Sequence, residues 1–144
     1  THFVPYYDKH NADLSCPYPG IVALLEELQY RGIMTAVASN KYQAATTELA
    51  KHYFPTIDFI EILGQREGIA VKPDPTIVYD ILKKAKVLPE EVLYVGDSGV
   101  DMKTAINSGI DAIGVTWGFR PKAELESFRP KGIIDKAEEL LEYL

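Results

Sequence analysis

The sequence predicts an α/β fold, a three-layer structure built around a Rossmann-like parallel sheet. Strand-like and helix-like stretches alternate along most of its 144 residues, and strand-like stretches such as 92–95 are short, continuous apolar runs. Continuous apolar runs are typical of parallel strands that are buried on both faces. Because strands and helices alternate, we expect right-handed crossovers that place helices on both sides of the sheet.

Spacing and turn residues mark the individual elements. Residues 19–32 carry apolar side chains at helical spacing between two glycine-containing turns, and a β-rich run, 33–39, follows. Ser39-Asn40 then offers a cap for the next helix. Residues 57–63 alternate in polarity and predict an edge strand. The remaining predicted elements are a helix within 73–87, a strand at 91–97, a helix at 99–109, a strand at 110–118 and an amphipathic terminal helix at 135–144.

Composition excludes some classes of function and favours one compartment. The formal net charge of −6 argues against a nucleic-acid footprint, but it allows a phosphorylated small molecule, which needs only local positive charge or a metal. No apolar run approaches the roughly 20 residues of a membrane span. One cysteine, Cys16, allows no internal disulfide, so we expect a reducing, cytoplasmic location. The opening residues, THFVPYYDKH, lack an initiator Met and a signal-like region, so we expect them to lie inside a longer product.

Three groups of polar residues are expected at the carboxyl-end edge of the predicted sheet. In open α/β sheets, ligands bind at this edge. Ser39 and Asn40 follow the run at 33–38, and they either cap a helix or hold phosphate oxygens at its N-terminus. Lys72 is followed by Pro73, and it is either a solvated surface lysine or a point charge aimed into a shared pocket. Each motif alone is weak, but their order along the chain favours one common site.

Asp97 and Asp101 stand four residues apart, across a turn that leads from an apolar strand into a helix. As structural residues, they would serve as a turn residue and a first-turn helix acid. As functional residues, they would face one point and bind Mg²⁺, a hard ion that takes one or two carboxylates together with waters and substrate phosphate. A cation between the two acids would also keep both of them ionised.

Four stretches together resemble the conserved motifs of a known family. SNK after a strand, VKPDP before a helix, YVGDSGVDMKTAINSG and VTWGFR are similar to the later motifs of haloacid dehalogenase-like hydrolases, and most similar to the phosphoglycolate phosphatase group. PYPGIVALLEELQYRG and the lead-in YYDKHNADLSCPYPG add to the resemblance, which covers essentially the whole chain. The resemblance implies a HAD-like α/β core at 18–144, and the end of a helical cap with its return linker at 1–17.

The resemblance also implies roles for individual residues. Ser39 would hydrogen-bond the transferring phosphoryl group, with Asn40 beside it as a second phosphate-binding residue. Lys72 would stabilise the developing charge and orient the nucleophile. Asp97 would ligate Mg²⁺, and Asp101 would complete or support the shell of the metal. The implied activity is Mg²⁺-dependent hydrolysis of small phosphomonoesters, with phosphoglycolate as the leading candidate.

The sequence departs from the family at its nucleophile. The resemblance implies an N-terminal Asp-x-Asp-Gly-Thr motif whose first aspartate attacks phosphorus, and the 144 residues contain no such motif. We therefore expect the first-motif strand and most of the cap to be absent from this chain, and the chain alone to be inactive. Without that strand two neighbours would lose a ladder partner, so we expect a missing N-terminal segment or another chain to fill the gap.

Two other functions remain open at this stage. A sugar phosphomutase would use the same scaffold, but it needs cap residues that recognise a bisphosphate. A phosphate- or metal-binding module that has lost its nucleophile would bind without turnover. The coding sequence upstream of Thr1 distinguishes the binding module from the two enzymes. An Asp-x-Asp-Gly-Thr motif there supports an enzyme, and a start codon shortly before Thr1 supports the binding module.

Overall fold

The computed structural model describes residues 3–7, 20–118 and 120–144, and residues 3–7 only as a strand. Its strands are β1 (Phe3–Tyr7), β2 (Met34–Tyr42), β3 (Glu61–Gln65), β4 (Leu93–Gly96), β5 (Asp111–Val115) and β6 (Gly132–Ile134). Its α-helices are α1 (Ile21–Tyr30), α2 (Gln43–Tyr53), α3 (Thr76–Ala85), α4 (Gly99–Ser108) and α5 (Lys122–Glu126). Two 3₁₀-helices cover Pro89–Glu91 and Ala137–Tyr143.

All strand pairs in the described residues are parallel, as the sequence predicts. The strands form two three-stranded sheets, ordered β1-β2-β3 and β4-β5-β6. Strand β1 also lies next to β4, so the order across the molecule is β3-β2-β1-β4-β5-β6. This is the order of doubly wound sheets, in which ligands bind at the carboxyl ends of the strands where the order reverses. The reversal here lies between β1 and β4.

Helices cover both faces of the sheets, and each face has its own apolar core. Strand β4 shows why, because successive side chains of a strand point to opposite faces. Leu93 and Val95 pack in the core formed with α1 and the terminal 3₁₀-helix, whereas Tyr94 packs in the core formed with α3 and α4. The predicted three-layer α/β fold is confirmed.

The first difference from the prediction concerns Ser39 and Asn40. Strand β2 continues through both residues to Tyr42, and the residue at the N-cap of α2 is Tyr42, which makes no side-chain capping bond. Ser39-Asn40 therefore does not cap α2. Gln43 anchors that helix instead: its side chain donates to Ile62 O at 2.8 Å and accepts from Gly64 N at 2.8 Å.

Two further elements differ in detail. Strand β3 does lie at the edge of its sheet, but it begins at Glu61, later than predicted. The terminal helix is 3₁₀ over Ala137–Tyr143, and it buries Ala137 and Leu140. Their spacing of three residues matches the three residues per turn of a 3₁₀-helix, so the buried pair favours the tighter winding.

Strand β1 occupies the place where the sequence analysis expects a gap. It pairs with β2 from Phe3 opposite Met34 to Tyr7 opposite Ala38, and it lies next to β4. The structure thus differs from the expectation that β2 lacks a partner on this side. An upstream segment or another chain would pair with β2 here only in place of β1, and that pairing stays a prediction. The cap assignment of residues 1–17, most of which lie outside the described residues, also stays a prediction.

In the part of the chain that the structure describes, none of the helices combines the length and apolar character that a membrane span needs.

Candidate active site

The predicted site residues meet at the carboxyl ends of β2 and β4. Asn40 and Lys72 are joined through a pair of hydrogen bonds, Lys72 contacts Asp101, and Asp101 contacts the backbone of Asp97. Four of the five residues, all but Asn40, are buried, with exposed fractions between 1% and 6%. Buried polar side chains on separate elements need partners, and here they serve largely as partners for one another.

Ser39 lies on β2, and its hydroxyl is only partly used. In the described residues Ser39 Oγ accepts a hydrogen bond from Lys41 N at 3.0 Å and donates none. A hydroxyl carries one O–H donor besides its acceptor lone pairs. The donor that the predicted phosphoryl contact requires is therefore not committed to any described group.

Asn40 holds the backbone of Lys72 on both sides. Asn40 Oδ1 accepts from Lys72 N at 2.9 Å, and Asn40 Nδ2 donates to Lys72 O at 3.2 Å. The amide thus fixes one peptide segment against β2, 32 residues away in sequence. A second side-chain amide holds the same segment, since Asn107 Nδ2 donates to Pro73 O at 2.9 Å. Phosphate binding by Asn40 stays a prediction, and the contacts present give it a positioning role.

We expect Asn40→Ala to lower the free energy of unfolding by about 2 kcal/mol, since two hydrogen bonds of about 1 kcal/mol each are lost. Urea unfolding in phosphate-free buffer with EDTA measures the effect. Asn107→Ala removes one exposed hydrogen bond of the same kind, and it is expected to change the free energy by less than about 1 kcal/mol. Unchanged stability in Asn40→Ala, with weaker phosphate binding, would assign Asn40 to phosphate instead.

Lys72 forms a buried ion pair. Its ammonium donates to Asp101 Oδ1 at 2.9 Å and to Ala38 O at 3.1 Å, and both charged side chains are about 5% exposed. Burial alone would lower the pKa of Lys72, but the negative charge of Asp101 and the hydroxyl of Tyr94 raise it above its ordinary value. Lys72 is therefore a fixed positive charge across the physiological pH range.

Both carboxylate oxygens of Asp101 are engaged within the protein. Oδ1 accepts from Lys72 Nζ and from the hydroxyl of Tyr94 at 3.3 Å, and Oδ2 accepts from Asp97 N and Ser98 Oγ at 3.1 Å each. Burial alone would raise the pKa of Asp101, but the Lys72 ammonium holds that pKa below its usual range. Asp101 therefore stays ionised, and it fixes Lys72 and Asp97 on its two sides.

Asp97 is the acid that the fold leaves incompletely paired. Its side chain is buried, and Oδ1 has no hydrogen-bond partner among the described residues. Burial and the nearby negative charge of Asp101 raise the pKa of Asp97 to about 7, although Lys72 acts in the opposite sense. A buried carboxylate oxygen without a donor is unfavourable unless a cation or another ligand faces it.

The surroundings of Asp97 and Asp101 are shaped by glycines. A Cβ on Gly118 would stand 2.7 Å from Asp97 Cγ, and a Cβ on Gly96 would stand 2.6 Å from Asp101 Cγ. No other residue type leaves room for the two carboxylates in these positions. Glycine at 96 and 118 therefore explains how both acids fit against the backbone.

The oxygen atoms of this site are of the kind that hard cations bind, and Asp97 Oδ1 is the one left without a partner among the described residues. Mg²⁺ binds through one or two carboxylates and keeps waters and substrate oxygens in its other positions. Within the described ranges, no group of three or more His, Cys, Asp and Glu side chains comes together to hold a metal. A cation at this site would find the free Asp97 Oδ1, whereas both Asp101 oxygens are already engaged within the protein; metal binding by the two acids stays a prediction.

Sequence reasoning missed two residues of this network, Tyr94 and Ser98. Ser98 is the N-cap of α4 and accepts from Asp101 N at 3.3 Å, besides donating to the Asp101 carboxylate. The preference of serine for the N-cap position of a helix could have identified Ser98 from the sequence. Tyr94 is fully buried in an otherwise aliphatic run, and burial raises the pKa of its hydroxyl. The hydroxyl of a tyrosine in a buried strand needs a polar partner, and this need could have identified Tyr94 from the sequence.

A comparison with protein families identifies the family of the chain. Residues 1–115 match the family described as haloacid dehalogenase-like hydrolase. The chain belongs to the haloacid dehalogenase-like hydrolase family.

Individual relatives are similar to this chain along most of its length. The chain is 30% identical to the phosphoglycolate phosphatase of Pasteurella multocida, over 96% of this chain and 62% of that protein. A crystal structure from Lactobacillus delbrueckii subsp. bulgaricus, provisionally assigned as a phosphoglycolate phosphatase, superposes with a TM-score of 0.85 at 37% identity, over 91% of this chain and 55% of that one. The chain spans about three fifths of the length of the curated relatives that it matches.

A second solved structure with the same fold is assigned a different activity. A crystal structure from Thermotoga maritima, provisionally assigned as a β-phosphoglucomutase, superposes with a TM-score of 0.76 at 25% identity, over 87% of this chain and 58% of that one. Similarity of fold therefore does not separate a phosphatase from a phosphomutase.

Proposed function

We propose that the full-length protein, meaning the gene product that carries this chain with the segment preceding it, is a Mg²⁺-dependent phosphatase of small phosphomonoesters such as 2-phosphoglycolate. One observation carries the proposal: Asp101 fixes the Lys72 ammonium on one side and the Asp97 loop on the other, while Asp97 Oδ1 has no partner among the described residues. Family membership and the phosphoglycolate phosphatase relatives support the substrate class.

The roles of the residues follow from their chemistry. Ser39 offers its O–H to a phosphoryl oxygen, and Lys72 supplies fixed positive charge where negative charge develops. Asp97 would hold Mg²⁺ with the support of Asp101, and the bound ion would neutralise charge on the phosphoryl group. We place the nucleophile and the general acid outside this chain. A carboxylate oxygen attacks phosphorus, the ester P–O bond breaks as the alcohol leaves with a proton from the general acid, and water then hydrolyses the aspartyl-phosphate to the carboxylate and inorganic phosphate. The 144-residue chain alone is accordingly expected to be inactive.

The phosphate-release assay tests the proposal directly. The full-length protein should release inorganic phosphate from 2-phosphoglycolate in Mg²⁺, and an excess of EDTA should abolish release until Mg²⁺ is restored. The 144-residue chain serves as the matched preparation without the upstream segment and should release none. Equal rates with and without EDTA would contradict the metal requirement.

A sugar phosphomutase is the second candidate, and the Thermotoga maritima similarity favours it. Phosphorus NMR of a hexose 1-phosphate, primed with the corresponding bisphosphate, separates the two. Transfer to the 6-position without net release of phosphate would replace the phosphatase by the mutase. Binding of phosphate and Mg²⁺ without either reaction would indicate a non-catalytic module.

The cellular setting of the proposed enzyme is the cytoplasm, with a small phosphorylated metabolite as its partner and no nucleic acid or membrane. The lone Cys16 and the net charge of −6 support this setting.

A further inference from the structure

The loop that carries Asp97 is held from a second side by the segment that follows β5. Gly99, the first residue of α4, donates its backbone N–H to Glu124 Oε2 at 2.6 Å. Glu124 lies in the first turn of α5, and its side chain is 31% exposed. The donor lies two residues after Asp97 and two before Asp101. This bond therefore fixes the middle of residues 97–101, the turn and first residues of α4 that carry both acids, which we call the metal loop.

Packing reinforces the same contact. A Cβ on Gly99 would stand 2.9 Å from Phe128 Cε2 and 3.1 Å from Glu124 Oε2, which shows how closely α5 and the residue that lies just beyond it approach the start of α4. Gly118, in the same post-β5 segment, lies against the Asp97 carboxylate. Residues 118 and 120–128 therefore touch the metal loop at two points, one at the carboxylate of Asp97 and one at the backbone beyond it.

Glu124 does not need to reach the metal in order to affect it. One carboxylate oxygen is bonded to Gly99 N, and the other faces Arg120 Nη1 at 3.9 Å. A carboxylate at a helix N-terminus is also favourable, because the first-turn N–H groups carry partial positive charge. The side chain is thus committed to holding the start of α4, and any effect on the cation passes through the loop.

We propose that Glu124 is a positioning residue for the cation site: it fixes the Asp97–Asp101 loop so that Asp97 faces the cation. The inference rests on the proposed function only in taking Asp97 as the metal ligand. Groups bonded directly to metal ligands typically change metal affinity by about 10–100-fold when they are removed, and we expect the lower end of this range for Glu124, which acts through the backbone of Gly99. Loss of the Gly99 bond should therefore weaken Mg²⁺ binding while leaving the ligand itself in place.

The test compares three variants of the full-length protein by calorimetric titration with Mg²⁺. Glu124→Ala should raise the Kd for Mg²⁺ about tenfold. Glu124→Gln keeps an acceptor for Gly99 N and should stay within about threefold of the wild type. Glu126→Ala removes an exposed acid from the same helix and should leave the Kd unchanged. At saturating Mg²⁺, kcat of Glu124→Ala should largely recover, which a general loss of folded structure would not allow.

The outcomes separate this inference from the proposed function. An unchanged Kd for Mg²⁺ in Glu124→Ala overturns it, even if the variant melts at a lower temperature. A Kd for Glu124→Gln as weak as that for Glu124→Ala overturns the hydrogen-bond basis, and absence of Mg²⁺ binding by the wild type overturns the whole inference. Phosphate release by the wild type is measured separately, so its failure, with the Mg²⁺ results intact, removes only the proposed function.

Discussion

Replacing Asp97 with Asn in the full-length protein is expected to lower kcat/KM for phosphomonoester hydrolysis by about a thousandfold or more. The amide keeps the size of the side chain but removes the charge that would bind the cation. A bound metal contributes several kcal/mol of transition-state stabilisation, and about 4 kcal/mol corresponds to a thousandfold in rate. The loss should follow the charge rather than the shape, because Asn fills the same space between Gly118 and Asp101.

Steady-state rates on 2-phosphoglycolate, measured over a range of Mg²⁺ concentrations, check this expectation. Asp111→Asn is the matched control, since Asp111 is an aspartate at the start of β5 with a 66% exposed side chain. The control should retain the wild-type rate. Rates in Asp97→Asn within tenfold of the wild type would remove Asp97 from the proposed metal site.

The same substitution should make the metal-free 144-residue chain more stable above pH 7. Burial raises the pKa of Asp97 to about 7 in the folded state, well above the ordinary value of 3.8. The folded state therefore binds this proton more tightly than the unfolded state, and the free energy of unfolding falls as pH rises from about 4 to 7. Asn carries no charge, so its stability should lack this fall. At about 1.36 kcal/mol per pKa unit, the difference between 3.8 and about 7 corresponds to a gain on the order of 4 kcal/mol at pH 8.

Urea unfolding in EDTA at pH 5 and pH 8 measures that difference. The gap between Asp97→Asn and the wild type should be clearly smaller at pH 5, where the fall has only begun, than at pH 8, where it is complete. Added Mg²⁺ should stabilise the wild type and not the variant, because ligands that bind only the folded state stabilise it. A variant that loses activity while gaining metal-free stability indicates a side chain kept for chemistry rather than for folding.

The fold and the place of the site could be predicted from local signals. The buried run of β4, which ends at Gly96, and the turn after it predict where the acids leave the sheet, because a strand pattern and a turn bounded by glycines are visible within about ten residues. The carboxyl-end rule then placed Asp97 near the end of β2. Such inferences need only neighbouring residues and the handedness of parallel sheets.

The partners inside the site could not be predicted in this way. Asn40 and the backbone of Lys72 are 32 residues apart, and Gly99 and Glu124 are 25 apart. Those pairs depend on how α3 and α5 dock, which the periodicity of one element does not specify. The capping interpretation of Ser39-Asn40 was wrong for a related reason. Cap preference is local, whereas β2 is extended to Tyr42 by its pairing with Gln65 of β3.

Lys72→Met is expected to lower the free energy of unfolding of the 144-residue chain at pH 8 by about 3–5 kcal/mol, because it leaves Asp101 as a buried charge without its partner. Met preserves the apolar stem of lysine but offers no donor to Asp101 Oδ1 or Ala38 O. Lys103→Met is the matched control, since Lys103 is exposed on α4, and it should stay within about 0.5 kcal/mol of the wild type.

The pH dependence of that loss carries a definite sign. In the wild type, Lys72 holds the pKa of Asp101 below its usual range, so this pair contributes stability that falls only as pH drops through that lowered pKa. Without Lys72, burial raises the pKa of Asp101, and the variant becomes less stable as pH rises through the raised value. The deficit of Lys72→Met should therefore be largest at pH 8 and smallest near pH 4.

A second substitution separates the buried charge from lost packing. Asp101→Asn in the Lys72→Met background removes the charge, while its amide oxygen still accepts from Asp97 N and Ser98 Oγ and its amide nitrogen faces Tyr94. The double variant should recover at least about 1 kcal/mol relative to Lys72→Met alone, a coupling typical of residues in one network. Additive losses in urea unfolding would mean that Lys72 acts on stability through its stem and not through Asp101. In that case the ion pair would not be what fixes Lys72 beside the Asp97 loop.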